Sequence, residues 1–336
     1  MPPDSSETRH LDRPEQLRAL SDPARVAILR RLMAAPATLT QLGAALDRHP
    51  AWIRHHVKQL EGAGLIELAE TRKVGGYTEK YYRATARTFT VTSMIFPDPG
   101  ERGLVVIVGS DDPALRLLAA RAHADPAGPD VFALATGSLE GLIALRQGLG
   151  DAAGCHLLDP ETGEYNVPYA QRIFPGRRLV LVTLAQREQG LIVGSGNPLG
   201  LHSLRDVVDS SATFVNRNDG SGTRIWLDRA LTDQRLPPAS LTGYDHTVAT
   251  HDEVARAVAG GAAAGVGVRA AAAAHGLGFV PLFDERYDLV IPAERHESPA
   301  VQAVLRRLRD REFRRAVRRL GGYRTRHTGD ERLVAA

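Results

Sequence analysis

The sequence predicts an α/β protein in two parts: an N-terminal winged helix-turn-helix and a larger, two-lobed α/β domain. Three observations predict this. Short helical stretches followed by a basic hairpin fill the first ninety residues or so. After a turn-rich break at Phe96-Pro97-Asp98-Pro99-Gly100, β-like apolar runs alternate with helical segments. The chain has 336 residues, room for two or three domains, and 43% hydrophobic content gives each a core. Boundaries are placed at 1–95 for the first domain, 96–102 for a linker, 103–328 for the second domain and 329–336 for a tail.

The first elements follow from local chemistry. Residues 12–20 can begin a helix. Ser21-Asp22-Pro23 reads as a cap with proline in the first turn, and the next helix carries Val26, Ile28, Leu29 and Leu32 before stopping near Ala35-Pro36. Thr38-Leu39-Thr40 opens a short helix with Leu39, Leu42 and Leu46, and Asp47-Arg48-His49 makes a turn. A further helix runs from Pro50 to Glu61 and ends at Gly62 and Gly64. Its Ile53, Val57 and Leu60 recur at spacings of four and three, one buried face. Trp52, Arg54, His55, Lys58 and Gln59 lie on the rest, and such long donors suit base edges and phosphates of the major groove.

Leu65–Leu68 then reads as a strand, Arg72–Gly76 as a turn and Lys80–Arg83 as the return strand. Arg72, Lys73 and Lys80 make this hairpin a basic wing that can touch phosphates. Charge placement agrees: residues 1–95 hold 14 Lys and Arg against 10 Asp and Glu, and the remainder nets one negative charge. The ordered set "LRALSDPARVAILRRL", "TLTQLGAALDRHPAWIRHHVKQLEGAGLIEL" and "GGYTEKYYRAT" resembles the arsenic-repressor (ArsR) family of winged-helix regulators. The resemblance covers about seventy residues. It implies binding to double-stranded DNA at palindromic sites and a homodimer. The paired cysteines with which many members sense metals are absent from this domain, so metal sensing is not carried over.

In the second domain the β-like runs are Leu104–Val108, Val131–Ala135, Leu179–Leu184, Leu191–Val193, Phe214–Val215, Gly265–Val268 and Leu289–Ile291. Their alternation with helical segments predicts mainly parallel strands. Three segments carry chemistry. Ala135-Thr136-Gly137-Ser138 places hydroxyls and backbone N–H groups where a helix begins, an arrangement that holds an anion or simply caps the helix. Phe214 to Arg224 repeats the logic with two glycines, two hydroxyls and two arginines before a helix over Ile225–Leu231; here a salt-bridged, capped turn is the alternative. Thr250-His251-Asp252-Glu253 opens a third capped helix, where His251 either donates to a ligand or packs.

Together "ATGSLEGLIAL", "CHLLDPETGEYNVPYAQRIFPGRRLVLV", "REQGLIVGSGNPLGLHSLRDV" and "FVNRNDGSGTRIWLDRAL" resemble the type II periplasmic-binding-protein fold, in the cytoplasmic version related to molybdate- and tungstate-binding proteins. The resemblance runs from about Leu104 to His327. It implies Thr136, Ser138, Arg217, Ser221, Gly222 and Thr223 as ligands of a tetrahedral oxyanion, with Tyr165 and Asn166 as additions. One departure concerns the third segment: Ala264 stands where relatives often carry an acid, which puts a carry-over to His251 in doubt. The arginine-rich end, Leu305 to Arg326, reads as amphipathic helices on the first lobe with a solvated basic face.

The lone Cys155 excludes an internal disulfide and a thiolate metal cluster. The first residues lack the apolar core of a signal peptide, and no apolar run is long enough to span a membrane, so the expected location is the cytoplasm. No catalytic set, metal site or resident cofactor is expected. The reading is a one-component regulator whose effector is molybdate or tungstate. A regulator sensing a small organic anion, and an enzyme or carrier of molybdenum-cofactor synthesis, stand as alternatives.

Overall fold

The computed structural model describes residues 8–11, 13–74, 76–91, 95–96 and 102–334. The chain divides into two compact units, Met1–Phe96 and Pro97–Ala336. Residues 97–101 of the expected linker, Gly75 of the wing turn, the first seven residues and the last two of the expected tail lie outside the described residues.

In the first unit, α1 (Pro14–Leu20) leads into α2 (Pro23–Ala34), whose N-cap Asp22 accepts from Ala24 N at 2.8 Å. Thr38 and Gln41 close a capping box at the start of α3 (Leu39–Leu46), and Asp47 in the left-handed region (φ 53°) turns the chain toward α4 (Pro50–Gly62). Ile28, Leu42, Ile53, Leu60 and Leu65 are at most 1% exposed and form the core between these helices.

The wing strands are longer than expected. β2 (Ile66–Val74) and β3 (Tyr77–Ala84) pair antiparallel, so Arg72 and Lys73 belong to a strand rather than to the turn. Cross-strand contacts explain the extension: Arg83 Nε donates to Glu67 at 2.7 Å, and Arg72 lies 4.6 Å from the Tyr81 ring centre. A parallel pair, β1 (Thr8–Leu11) with β4 (Thr88–Val91), was not legible in the sequence, because β1 buries only Leu11 as a strong apolar anchor.

The second unit has two lobes. In the first, β5 (Leu104–Gly109), β6 (Asp130–Ala135) and β7 (Ala152–Cys155) run parallel in the order β6-β5-β7, with α5 (Pro113–His123), α6 (Ser138–Arg146) and α7 (Val167–Ile173) between and after them. In the second, β9 (Phe214–Arg217), β10 (Thr247–Val248) and β11 (Ala264–Val268) run parallel in the order β10-β9-β11. This lobe carries α8 (Leu204–Asp209), α9 (Gly222–Asp233), α10 (His251–Ala259) and α11 (Arg269–Ala274).

The expectation of a mainly parallel sheet is corrected by the strands that join the lobes. β8 (Leu179–Val193) and β12 (Gly278–Pro292) are 15 residues each and pair antiparallel along both lobes. The apolar runs at Leu179–Leu184 and Leu191–Val193 are thus one strand. The polar stretch between them keeps the strand's alternation, with Arg187 and Gln189 fully buried on one face.

The chain then returns to the first lobe through α12 (Ala293–His296), α13 (Pro299–Leu308) and α14 (Arg311–Arg319). Val304, Leu305, Leu308, Phe313 and Val317 pack in one apolar cluster with Val105, Leu115 and Leu118. β13 (Tyr323–Arg324) and β14 (Glu331–Val334) both pair with β8, so residues 331–334 of the expected tail are part of the sheet. Among the described residues no helix is long and apolar enough to cross a membrane.

Gly154 in β7 faces Tyr287, and a Cβ there would fall on the phenolic oxygen that donates to Ser110 O. Gly154→Ala is expected to destabilise the second unit by about 2–3 kcal/mol through overpacking, read as a lower urea midpoint for its unfolding.

Candidate functional site

The cleft is built where three strands end and the two joining strands cross. After β5, Asp112 caps α5 by accepting from Ala114 N (2.6 Å) and Leu115 N (3.1 Å). Tyr323 Oη also donates to it, at 2.8 Å, as does Arg187. After β6, Thr136 N and Gly137 N both donate to Gly109 O, and Gly137 adopts φ 94°, which only glycine tolerates easily. After β9, Ser221 caps α9 by accepting from Arg224 N at 3.2 Å.

Arg187 and Glu285 face each other in register across β8 and β12, with Nε to Oε1 at 2.5 Å and neither exposed beyond 3%. Glu285 also accepts from Gln189 (2.6 Å), and Gln189 bonds Thr223 Oγ1 of α9 at 3.0 Å. His156 joins the set: Nδ1 donates to Glu285 at 2.8 Å, so Nε2 accepts from the Ser110 hydroxyl at 2.9 Å. Burial lowers the His156 pKa despite Glu285, which keeps the ring neutral. Burial alone would raise the Glu285 pKa, but Arg187 and His156 outweigh it and hold the carboxyl down at about 2.

Arg217 is different. It is 1% exposed; Nη2 donates to Ala249 O (2.7 Å) and Nη1 to His251 Nδ1 (3.1 Å). Among the described residues no carboxylate lies within ion-pair distance of it. Burial pushes its pKa down to about 10, still well above neutral pH, so the charge persists. His251 is fully buried, and burial together with Arg217 pushes its pKa well below the ordinary value. With Nδ1 accepting from Arg217, the proton of this neutral ring sits on Nε2.

That Nε2 has no hydrogen-bond partner, and neither do Arg217 Nε, Arg187 Nη2, Thr136 Oγ1 or Asn218 Oδ1. Unpaired buried polar atoms of this kind cost about 1–3 kcal/mol each, more when charged. Four of the five atoms can donate, and Asn218 Oδ1 only accepts. The nearby carboxylate of Asp111 is already taken by Arg116 Nη1 at 2.9 and 3.0 Å.

The loops of both lobes meet over this cluster: Leu139 N donates to Gly220 O at 3.2 Å. Thr136 and Arg217 contribute unpaired atoms. Ser138 is fully buried and its Oγ accepts from His156 N, while Ser221 and Thr223 are engaged in the cap and with Gln189. Gly222 packs against His156, since a Cβ there would stand 2.5 Å from Nδ1. Gly222 and Thr223 lie in the first turn of α9, which begins three residues before the expected Ile225 and leaves their N–H groups without helical acceptors. Asn166 lies elsewhere: its amide is spent on Leu157 N and Asp288, which hold its own loop. Tyr165 donates to Asp284 O and lines the outer cleft.

Sequence reasoning missed Arg187, Gln189, Glu285, His156 and Ser110. The one signal available was a charged residue continuing the period of two between apolar runs. Ala264 is buried among Leu191, Val193 and Phe214, so this position is apolar packing here. In the first unit Arg54, His55, Lys58, Gln59, Lys73 and Lys80 are exposed, and Trp52 is 38% exposed with His56 at 4.1 Å. Arg72 is exposed too but is paired with Glu70.

Residues 119–309 match the PBP superfamily domain family, and residues 20–69 match a helix-turn-helix domain family. The chain is 37% identical over 194 residues to the uncharacterized protein YvgK of Bacillus subtilis (strain 168), which covers 57% of this chain and 62% of that protein. It thus spans less than two thirds of that relative. It is 32% identical over 107 residues to an uncharacterized protein in the ferredoxin 2Fe-2S gene 5' region of Clostridium pasteurianum, covering 31% of this chain and 95% of the relative. A candidate phosphate ABC-transporter substrate-binding protein from Clostridium perfringens, with bound phosphate, shares the fold at 15% identity. Its TM-score is 0.50, over 70% of this chain and all of that one.

The depressed Glu285 pKa sets a pH limb. Its folded value of about 2 lies below the ordinary 4.5, so its contribution is complete above about pH 4.5 and is lost as pH falls toward 2. The loss should amount to roughly 3 kcal/mol. Glu285→Gln should flatten this limb in urea midpoints measured between pH 7 and pH 3.

Proposed function

The chain belongs to the PBP superfamily through its second domain, and we propose that it is a one-component transcriptional regulator. A helix-turn-helix joined to a PBP-like domain is the layout of a regulator that senses a ligand. The ligand proposed is a tetrahedral oxyanion, molybdate or tungstate, and the DNA-contacting form proposed is an ArsR-like homodimer.

The observation that carries the reading is Arg217: a buried guanidinium with no carboxylate partner among the described residues, next to further unpaired donors. A buried charge left uncompensated costs several kcal/mol, and an anion between the lobes removes that cost. A fully deprotonated oxyanion suits such a lining, because it accepts at every oxygen and needs few acceptors in return. Thr136 from one lobe and Arg217 with the α9 N-terminus from the other would bind it together. Ligand bound by both lobes favours the closed arrangement, and unequal affinity for two states is what couples a ligand to DNA. No activated nucleophile forms part of this proposal; Cys155 is fully buried and burial raises its pKa.

Titration calorimetry with molybdate, tungstate, sulfate, phosphate and acetate tests the ligand. Molybdate or tungstate should bind with micromolar affinity, and Arg217→Gln should weaken it about a hundredfold, the worth of charge-assisted hydrogen bonds of ~3 kcal/mol. Absence of a thermal shift with every tetrahedral oxyanion would sink the proposal.

For the DNA side, Lys58→Ala should weaken binding to a duplex from upstream of the protein's own gene by about tenfold. It should also reduce the salt slope by about one. An unchanged affinity and slope would remove α4 as the DNA-contacting helix.

A further inference from the structure

The cleft between the lobes holds more room than four oxygens around one centre require. A cavity of about 320 Å³ lies between Tyr165 and Tyr169 of the first lobe and Trp226 of α9, with Phe283, His156 and Glu285 also on its walls. That volume falls at the lower end of the ~300–1,000 Å³ of organic-molecule sites. Only 5% of the chain is aromatic, so four rings around one cavity are a local concentration rather than a reflection of composition.

The chemistry of the walls narrows the occupant. Trp226 and Phe283 stack with centroids 3.9 Å apart and planes 18° apart, which offers a flat apolar slab. Flat rings prefer offset-stacked or edge-on partners of the same kind. The charges on the walls are already neutralised: Arg229 pairs with Asp233 at 2.8 Å, and Glu285 is held by Arg187. An ion would gain little here.

We infer that this outer cleft is a second ligand site, distinct from the Arg217 cluster, that takes a neutral planar aromatic or heteroaromatic molecule between the rings of the two lobes. Such a molecule touches both lobes and shares the His156–Glu285 wall with the polar network. It therefore stabilises the closed arrangement independently of any anion.

The 336-residue chain carrying Trp52→Phe tests this, because Trp226 is then its only tryptophan. Adenine, nicotinamide and benzamide are the probes, with cyclohexanecarboxamide as the saturated control. At least one ring should quench Trp226 saturably with a Kd below ~1 mM and bind at least about fivefold tighter than the control. Ala230→Phe, which fills the cavity, should weaken that binding by about tenfold or more. Tyr169→Ala, which removes a ring from the opposite wall, should do the same, and thermal unfolding verifies that each variant is folded. The inference is overturned if no probe saturates by about 10 mM, if the control binds equally well, or if both folded variants bind as the parent does.

Discussion

Where β8 passes from one lobe to the other it carries Arg187, a guanidinium with no exposure at all. Such a charge costs several kcal/mol to bury unless opposite charges and hydrogen bonds surround it. The surrounding structure supplies them from separate places: Glu285 across the strand pair and Asp112 at the N-cap of α5. Tyr323 reinforces Asp112, while His156 and Gln189 reinforce Glu285. Neutralising this single cation therefore fixes the register of β8 against β12 and the start of α5. Through Gln189 and Thr223 it also fixes the start of α9.

The second buried arginine makes an instructive contrast. Arg217 receives a carbonyl and a histidine nitrogen but no carboxylate among the described residues. The two guanidiniums differ in burial by a single percentage point, so desolvation does not distinguish them; neutralisation does. Arg187 has its counter-charges inside the fold and acts as structure. Arg217 has no carboxylate within ion-pair distance among the described residues, which is why the anion proposal rests on it. Its neighbour His251 is kept neutral by burial and by Arg217 itself, and its Nε2 has no partner.

Much of this protein could be read locally. Asp22, Thr38 and Thr250 cap the helices expected of them, and Ile53, Val57 and Leu60 form the buried face of α4 that their spacing implies. The loops at Thr136 and at Arg217 to Thr223 were visible because hydroxyls and glycines at a strand-to-helix turn have a short-range meaning. β8 and β12 were harder. Their centres, Gln186 to Gln189 and Asp284 to Arg286, are polar enough to resemble loops. Only the partners across the sheet make Arg187 and Glu285 affordable in a strand interior. Asn166 shows the opposite failure: a polar residue in a promising turn whose hydrogen bonds are consumed by its own loop.

By itself, then, the sequence determined the elements whose cause lies within a few residues: caps, helix faces, turn glycines, the basic hairpin and the two strand-to-helix loops. It also determined the change of character near residue 96. The tertiary structure decided which of the candidate donors remain unpaired, because that depends on distant partners, 129 residues apart for His156 and Glu285 and 211 for Asp112 and Tyr323. It decided too that two interrupted apolar runs are single strands joining the lobes, and that rings from distant segments enclose one cavity. Hydrogen-bond satisfaction and charge neutralisation are properties of a neighbourhood, and a neighbourhood exists only once the chain has folded.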